Sequence, residues 1–396
     1  MNKENALLIL GRQPALGIAE LESLYGANHF KLIGNQVLIS DLDTEDIDFK
    51  RLGGSVKLAE VLYEQDTTDW AGIHSTLVSK SASLPFAKAS GKLRLGISAI
   101  DIQVTPKQLM ATGLSMKRVL KDAGQSLRFV PNTSLRLNSA QVLHNRLTHA
   151  GGLELILVKA GNKTICAQTV KEQDIADYSR RDYGRPKRDL RVGLLPPKLA
   201  QIIINLGGGP ENNLSRTVLD PFCGGGVLLQ EALLMGYKVF GSDIDERMVN
   251  EAETNVSWLV DAYRLDKDLC HLAIADATSF VWKTDLDFIA SETYLGRHFS
   301  PSSTPEVIAQ GVSDCNHIIK KFLQNIAGQL KSGTRLCLAV PAWQVAPDRF
   351  KHLPLIDQIN DLGYIRVSFE HVLATDLIYF RKEQSVAREL LVLRKR

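Results

Sequence analysis

The sequence predicts an α/β protein in which a doubly wound domain, built on a mainly parallel sheet, follows two smaller α+β segments. Three observations predict this architecture. Short apolar runs alternate with helical periodicity throughout the chain after residue 193. A glycine-rich turn separates the first of these strand-like runs from the helix that follows it. The earlier half mixes strand-like and helical patterns without regular alternation, which is typical of α+β segments.

The two α+β segments are expected to form domains at residues 1–60 and 61–172. In the first, the apolar run Ala6–Leu10 indicates a buried strand, and residues 17–25 carry apolar side chains at helical spacing. In the second, strand-like runs flank a helix that is expected to begin near Pro106, since proline is favoured in the first turn.

The charge of the chain is strongly segregated, although the net charge over 396 residues is only +3. Residues 1–85 carry −5 and residues 199–396 carry −4, whereas the middle, residues 86–198, carries 20 basic and 8 acidic side chains, a net of +12. Such asymmetry is typical of a region that binds a polyanion. A helix in this region is expected to turn Lys117 and Arg118 outward, where they could contact phosphates.

Residues 173–193 lose periodicity and become dense in charge, which predicts a basic linker between domains. Arginines here are interleaved with Tyr178 and Tyr183, a combination that suits RNA because guanidinium groups pair with phosphates and aromatic rings stack on bases. The arginines expected to contact RNA are Arg180, Arg181, Arg185 and Arg188.

Several classes of protein are disfavoured by composition. No apolar stretch approaches the roughly 18 residues of a membrane helix, and the first residues lack the order of a signal peptide, so a cytoplasmic protein is expected. Five cysteines without a C-x-x-C pair predict neither a disulfide framework nor a zinc site, and no metal is expected.

The most informative segment is the glycine-rich turn at residues 218–227, VLDPFCGGGV. It lacks the G-x-G-x-x-G spacing of dinucleotide sites and a Walker lysine, which argues against redox cofactors and nucleoside triphosphates. Asp243, 23 residues after Asp220, has the spacing of a carboxylate that binds ribose hydroxyls. Asp276 ends a third strand, where it could accept from an adenine amine. A ribose-bearing cofactor without phosphate, S-adenosylmethionine, is therefore predicted.

These motifs resemble a known enzyme class. The run D-P-F-C-G-G-G, followed by G-S-D-I-D and A-D-A, is similar to the amino-methyltransferase branch of class I S-adenosylmethionine-dependent enzymes. Residues 181–186 (RDYGRP) and 195–201 (LPPKLAQ) further resemble the THUMP-domain tRNA guanosine N2-methyltransferases that modify guanosine 10. The resemblance covers nearly the whole chain and implies a ferredoxin-like domain at 1–60, a THUMP RNA-binding domain at 61–172 and a Rossmann-like methyltransferase domain at 194–396.

The resemblance also implies roles for individual residues. Asp220 and the backbone of residues 223–226 would hold the methionine moiety, Asp243 the ribose and Asp276 the adenine. The family position of Cys223 is structural, so nucleophilic chemistry is not expected there. The cofactor-binding residues implied are Asp220, Phe222, Cys223, Gly224, Gly226, Asp243, Ile244, Asp276 and Ala277.

The catalytic motif departs from the family pattern Asp/Asn-Pro-Pro-Tyr, which supplies hydrogen-bond acceptors for the target amine and a tyrosine that stacks on the extruded base. Here the motif reads Ser291, Glu292, Thr293, Tyr294, without either proline. Three interpretations stay open: an active variant in which Ser291 and Glu292 are the acceptors and Tyr294 stacks, a changed target atom or substrate, and an inactive RNA-binding relative. Arg297 and His298 lie just beyond and could contact the nucleotide.

The sequence thus predicts an enzyme that methylates the exocyclic N2 of a guanosine in tRNA. A DNA amino-methyltransferase acting on adenine N6 or cytosine N4 is the main rival, because it shares the same motif branch. The expected partner is tRNA. Whether an activating partner subunit is needed, as in some members of the family that the sequence resembles, stays open. No membrane partner is expected.

Overall fold

The computed structural model describes residues 6–39, 42–85, 91–188, 195–211, 215–296, 305–346, 349–381, 384 and 386–396. The chain forms two compact units, neither of which is continuous in sequence. The first comprises Met1–Pro14, Asn28–Lys50 and Ser55–Ala176. The second comprises Ala15–Ala27, Arg51–Gly54 and Asp177–Arg396.

The helices of the described residues are α1 (Pro14–Tyr25), α2 (Trp70–Ser79), α3 (Pro106–Asp122), α4 (Ser139–His144), α5 (Ile175–Tyr183), α6 (Pro197–Gly208), α7 (Val227–Leu234), α8 (Glu246–Tyr263) and α9 (Pro305–Ala327). None of the helices described is both long enough and apolar enough to cross a membrane.

The first unit is built on one mixed sheet. Its strands are β1 (Ala6–Leu10), β2 (Phe30–Ile33), β3 (Gln36–Ile39), β4 (Ser55–Gln65), β5 (Leu93–Ile100), β6 (Leu127–Phe129), β7 (Gly152–Ala160) and β8 (Lys163–Glu172). They lie in the order β2-β3-β1-β4-β8-β7-β5-β6. Strand β4 pairs with β1 on one side and β8 on the other, so the domain limit predicted between residues 60 and 61 lies within a strand of a continuous sheet.

Helix α3 shows why this part of the chain folds as the sequence indicates. Thr105 caps it: its hydroxyl accepts from the backbone N–H of Gln108, whose side chain accepts in turn from the backbone of Thr105, and Pro106 follows. Its buried stripe, which includes Leu109 and Met116, packs into the core of the unit. The exposed side of α3 carries Lys117 and Arg118 together with two apolar side chains, Met110 and Leu114.

The second unit is the predicted doubly wound domain. Its strands are β9 (Thr217–Asp220), β10 (Lys238–Asp243), β11 (Cys270–Ile274), β12 (Phe288–Glu292), β13 (Arg335–Ala346), β14 (Arg349–Lys351), β15 (Tyr364–Arg366), β16 (Ile378–Tyr379) and β17 (Val386–Lys395). The sheet runs β11-β10-β9-β12-β13-β17-β15, parallel from β11 to β13 and antiparallel at β17. The strand order reverses between β9 and β12, and ligands of such sheets bind outside the carboxyl ends of the strands at that point.

Two N-terminal pieces belong to the second unit. Helix α1 packs in the same core as α6, and its Glu20 is fully buried. The Glu20 carboxylate accepts from the backbone N–H groups of Gly53 (3.0 Å) and Gly54 (2.9 Å) and from the side-chain amide of Asn205 (2.8 Å). These bonds tie α1, residues 51–54 and α6 together.

The predicted basic linker contains regular structure. Residues 175–183 form α5 instead of an aperiodic segment, and an ion pair between Asp177 and Arg181, one helical turn apart, supports it. The apolar periodicity that reveals most helices is weak here, because the face that α5 buries carries an arginine.

Candidate active site

The loop after β9 lies where the strand order reverses, and it is organised around Asp220. This carboxyl group is 2% exposed. Its Oδ1 accepts from the backbone N–H of Phe222 at 3.2 Å and from the hydroxyl of Ser291, at the end of β12, at 2.6 Å. Asp220 therefore joins the glycine loop to the predicted catalytic motif.

The backbone conformation of the loop favours glycine at two positions. Gly224 and Gly226 adopt positive φ angles of 48° and 79°, a region that favours glycine. A Cβ at Gly226 would also lie 3.1 Å from the Cβ of Ala252 in α8. The side-chain amide of Asn255 donates to the carbonyl of Gly225 at 2.8 Å. The loop is thus held against α8 with its backbone close to the open edge of the sheet.

Asp243 lies at the end of β10, next to the glycine loop. Its Oδ2 accepts from the backbone N–H of Gly224 at 2.9 Å and its Oδ1 from that of Asp245 at 3.0 Å. Each carboxylate oxygen has a further lone pair with which it could accept from a hydroxyl. Burial raises the pKa of Asp243. The adjacent Ile244 is 69% exposed, which leaves an apolar surface beside this carboxylate.

The third strand end presents Asp276 to solvent. Its Oδ1 accepts from the backbone N–H and the hydroxyl of Thr278, at 2.9 and 2.7 Å. These hydrogen bonds lower the pKa of Asp276, which keeps it an acceptor at neutral pH. The neighbouring Ala277 is buried, and Phe222 packs edge-on against Phe322. The predicted cofactor residues thus follow the ends of three adjacent strands, β9, β10 and β11.

The electrostatics of the loop suit a cationic ligand. The pKa of Asp220 is raised to about 7, mainly by burial and also by the nearby carboxylates of Asp243 and Glu292, although the hydrogen bonds from Ser291 and Phe222 act to lower it. Concentrated carboxyl groups favour a positive charge, such as a sulfonium or ammonium group.

Cys223 does not have the surroundings of a nucleophile. Its thiol is buried, and burial together with two nearby carboxylates raises its pKa well above the usual value. A neutral thiol is a poor nucleophile. This agrees with the structural role that was expected from the resemblance.

The predicted catalytic motif lies at the end of β12. Ser291 is fully buried and donates its hydroxyl hydrogen to Asp220, while the Thr293 hydroxyl and backbone N–H both donate to the carbonyl of Ala339. Tyr294 is 38% exposed, as a ring that stacks on a base must be. Arg297 and His298 lie outside the described residues.

Glu292 has a partner that the sequence analysis did not identify. Its Oε1 accepts from the Nε of Arg388 in β17, whose side chain is 2% exposed. The signal available in the sequence was a pair of charged residues, Arg388 and Glu389, inside the otherwise apolar run at residues 386–393. Asn255 was missed as well, because nothing about an asparagine in a helix indicates that it binds a distant loop.

The arginines of the basic linker are divided by burial. Arg181 is 5% exposed and pairs with Glu231 at 2.7 Å, and Arg185 is 3% exposed. Both therefore belong to the interior of the second unit, which is incompatible with the phosphate contact predicted for them. Arg180 is exposed and lies over the ring of Tyr263, and Arg188 lies over that of Tyr183. Contact with RNA stays a proposal for this second pair.

The first unit carries a basic pocket of about 250 Å³ beside α3. Lys117 lines it, and Arg118 is exposed on the same helix, as the helical periodicity predicts. The pocket is lined by Lys92, Met110, Leu114, Lys117, Leu127, Arg128, Phe129 and Pro131. Three cations surround apolar side chains, of which Leu114 is 46% exposed. No cluster of metal-ligating side chains occurs within the described part of the chain.

A family model matches the part of the chain that carries this site. Residues 185–343 match the family described as UPF0020, RMKL-like methyltransferase domain. This part of the chain is similar to that methyltransferase family. The match contains the glycine loop, Asp243, Asp276 and the motif at the end of β12. The predictions of a methyltransferase enzyme and of S-adenosylmethionine as its cofactor are confirmed.

Curated relatives of this methyltransferase confirm the resemblance found in the sequence. The tRNA (guanine(10)-N2)-dimethyltransferase of Pyrococcus abyssi is 27% identical over 255 residues, which is 59% of this chain and 67% of the relative. The enzyme of the same name from Methanothermobacter thermautotrophicus is 30% identical over 150 residues, 38% of this chain and 39% of the relative. The second match thus spans well under half of that relative.

Solved structures with the same architecture confirm the predicted fold. TrmN from Thermus thermophilus matches with a TM-score of 0.57 and 16% identity, over 99% of both chains. A predicted N6-adenine-specific DNA methylase from Listeria monocytogenes matches with a TM-score of 0.53 and 10% identity, over 98% of this methyltransferase and 96% of that chain. At such identities the likeness concerns the fold alone.

Proposed function

We propose that this methyltransferase transfers a methyl group from S-adenosylmethionine to the exocyclic N2 of a guanosine in tRNA. The observation that carries the proposal is the joint placement, at one edge of the sheet, of the glycine loop, the carboxyl groups of Asp220 and Glu292, and the exposed ring of Tyr294. The names of the curated relatives support the choice of tRNA and of guanine N2.

The resemblance assigns the residues that would hold the cofactor, and their positions at three adjacent strand ends support this assignment. The backbone of residues 223–226 and Asp220 would bind the methionine moiety, and Asp243 would accept from the ribose hydroxyls. Ile244 and Asp276 would contact the adenine, one through its exposed apolar surface and one as an acceptor for its amine. When bound, S-adenosylmethionine supplies an electrophilic methyl group on a positively charged sulfur.

The remaining residues would position the target. Tyr294 would stack on a base that has left the RNA helix. Glu292 would accept a hydrogen bond from the exocyclic amine and orient its lone pair towards the methyl group, which is catalysis by positioning and electrostatics. The Glu292 carboxylate can then take the proton that the methylated nitrogen releases.

Basic surfaces would bind the body of the tRNA. The pocket beside α3, with Lys117 at its rim, the exposed Arg180 and the half-buried Arg188 offer cations for phosphates. A tRNA substrate would place the enzyme in the cytoplasm. Ferredoxin-like and THUMP segments in the first part of the chain, and an activating partner subunit, are also parts of this proposal.

The direct test incubates the purified protein with unmodified tRNA and S-adenosylmethionine labelled in its methyl group, followed by digestion to nucleosides. We expect the label in N2-methylated guanosine. Label in DNA adenine or cytosine would favour the DNA amino-methyltransferase instead. Cofactor binding without any transfer would favour an RNA-binding relative, and transfer only after addition of a second subunit would establish the partner.

A further inference from the structure

The ion pair between Glu292 and Arg388 is buried on the arginine side and partly exposed on the glutamate side. The Arg388 side chain is 2% exposed, whereas that of Glu292 is 17% exposed. Arg388 lies in β17 opposite Pro341 of β13, and its Nη1 donates to the side-chain oxygen of Gln384 at 3.2 Å. The arginine is therefore held by two side chains, while the partly exposed glutamate lies at the carboxyl end of β12.

The charges of this pair define what Glu292 can do. An arginine side chain remains protonated in proteins, and a buried guanidinium requires a counter-charge. Glu292 supplies it as a carboxylate, which only accepts hydrogen bonds. Its Oε1 is used by Arg388, and no described residue donates to its Oε2. An acceptor with two lone pairs is thus left facing the site.

The hydroxyl of Ser291, next to Glu292, has no hydrogen left to donate to a base. Ser291 is fully buried and its only hydrogen is directed to Asp220. The described polar side chains next to Glu292 at the end of β12 are accordingly committed, Ser291 to Asp220 and Thr293 to the carbonyl of Ala339. A base presented here would meet an acceptor-only side chain.

We propose that Glu292 selects guanine by accepting hydrogen bonds from both N1–H and the N2 amine, and that Arg388 is the positioning residue that holds Glu292 in place. Guanine presents these two donors side by side. Adenine and cytosine each present one amine beside an unprotonated ring nitrogen, which would face the carboxylate lone pairs and be repelled. This inference rests on the proposed methylation of guanosine in tRNA and adds its basis for base selection.

The test uses 2-aminopurine, which keeps the target amine but has an unprotonated N1. The tRNA guanosine that the wild-type protein modifies is identified by mass spectrometry and replaced by 2-aminopurine in a ligated transcript. We expect wild-type kcat/KM to favour guanosine by about 100-fold or more, because a site that accepts a hydrogen bond from a substrate N–H rejects analogues that lack this donor. In Glu292→Gln the preference should fall below about tenfold, since a carboxamide can donate to N1.

Two further variants separate base selection from loss of folding. Glu292→Gln combined with Arg388→Gln leaves no unpaired buried charge and should show the same weakened preference as Glu292→Gln. Arg388→Lys keeps the charge but not the guanidinium geometry. It should lower kcat at least about fivefold while the KM for S-adenosylmethionine and the preference for guanosine are retained.

The matched control is Arg366→Gln, which removes a second arginine–glutamate pair, between Arg366 of β15 and Glu389 of β17. Arg366 contacts Glu389 at 2.8 Å, and Glu389 faces the side of β17 opposite Arg388. This variant should keep the guanosine preference of the wild type. Equal preferences in wild type and Glu292→Gln, or unchanged kcat in Arg388→Lys, would overturn the inference while guanosine methylation stands. Wild-type protein that binds cofactor but methylates no tRNA guanosine would overturn the proposed function itself.

Discussion

At the scale of single residues, Asp220 connects the glycine loop to the predicted catalytic motif, two features that the sequence predicts separately. The spacing of the glycine loop predicts a functional carboxylate, and the structure adds that it accepts from Ser291 across the sheet. That contact depends on β9 and β12 being neighbours although 67 residues separate Asp220 from Phe288. Side-chain partners across a sheet follow from strand order, which is why neither this bond nor the one between Glu292 and Arg388 could be predicted.

The raised pKa of Asp220 predicts pH-dependent cofactor binding. Burial raises this pKa to about 7, so the group is mostly protonated at pH 6 and mostly ionised at pH 8. Because the ionised form attracts the sulfonium and ammonium charges, affinity for S-adenosylmethionine should rise as pH increases through 7, by up to about tenfold between pH 6 and 8. Calorimetric titrations at several pH values measure this.

The control for that experiment is Asp220→Asn, which has no titrating carboxyl group at this position. Its affinity should be weaker at pH 8 and vary much less over the same range. If the wild type and this variant share one pH profile, ionisation of Asp220 does not contribute to cofactor binding.

Asp243 and Asp276, at the two other strand ends, should contribute unequally to cofactor affinity. The Asp243 carboxylate accepts from the backbone of the glycine loop, whereas the described donors to the Asp276 carboxylate both belong to Thr278, in its own turn. Asp243→Ala removes both a ribose acceptor and a loop anchor, and we expect affinity for S-adenosylhomocysteine to fall by about 30- to 100-fold, or about 2 to 3 kcal/mol. Asp276→Ala should cost less than about tenfold. Calorimetry that ranks the two variants in the opposite order would contradict this.

At the scale of elements, the doubly wound half follows closely from alternating patterns, since each parallel strand and its helix must bury an apolar face. Helix α5 was not predicted, because its buried residue is Arg181 and its apolar periodicity is weak. The inclusion of α1 in the second unit was also beyond the sequence, because its partners lie in residues 51–54 and in α6, far along the chain.

Glu20 is the residue on which that attachment most depends. Glu20→Ala would leave the backbone N–H groups of Gly53 and Gly54 and the amide of Asn205 without their acceptor in a buried site. We expect the free energy of unfolding to fall by about 3 kcal/mol, measured by urea denaturation of the full chain. Glu253→Ala, at an exposed position of α8, should change it by less than about 0.5 kcal/mol. Similar losses in both variants would argue against an anchoring role.

At the scale of the whole molecule, the segregation of charge predicts how RNA binding responds to salt. Phosphate contacts release counterions, so the logarithm of affinity falls linearly with the logarithm of salt concentration. Lys117→Ala combined with Arg118→Ala should weaken tRNA binding and reduce the steepness of that line by about 1 to 2. Fluorescence anisotropy with labelled tRNA over a range of KCl concentrations measures both quantities.

Lys267→Ala combined with Lys283→Ala is the charge-matched comparison, since both lysines are exposed in the acidic part of the chain. It should leave the slope unchanged. If the two double variants give the same slope as the wild type, the exposed cations of α3 do not contact the tRNA backbone.

The interleaving of the two units along the chain has a consequence for how such a protein can be assembled and altered. A gene segment that encodes residues 177–396 omits α1 and residues 51–54, and therefore omits the hydrogen-bonding partners of Asn205. The catalytic unit cannot be transplanted as a single cassette. Recombination between genes would have to exchange three separate stretches together, so both units are expected to be inherited as one block.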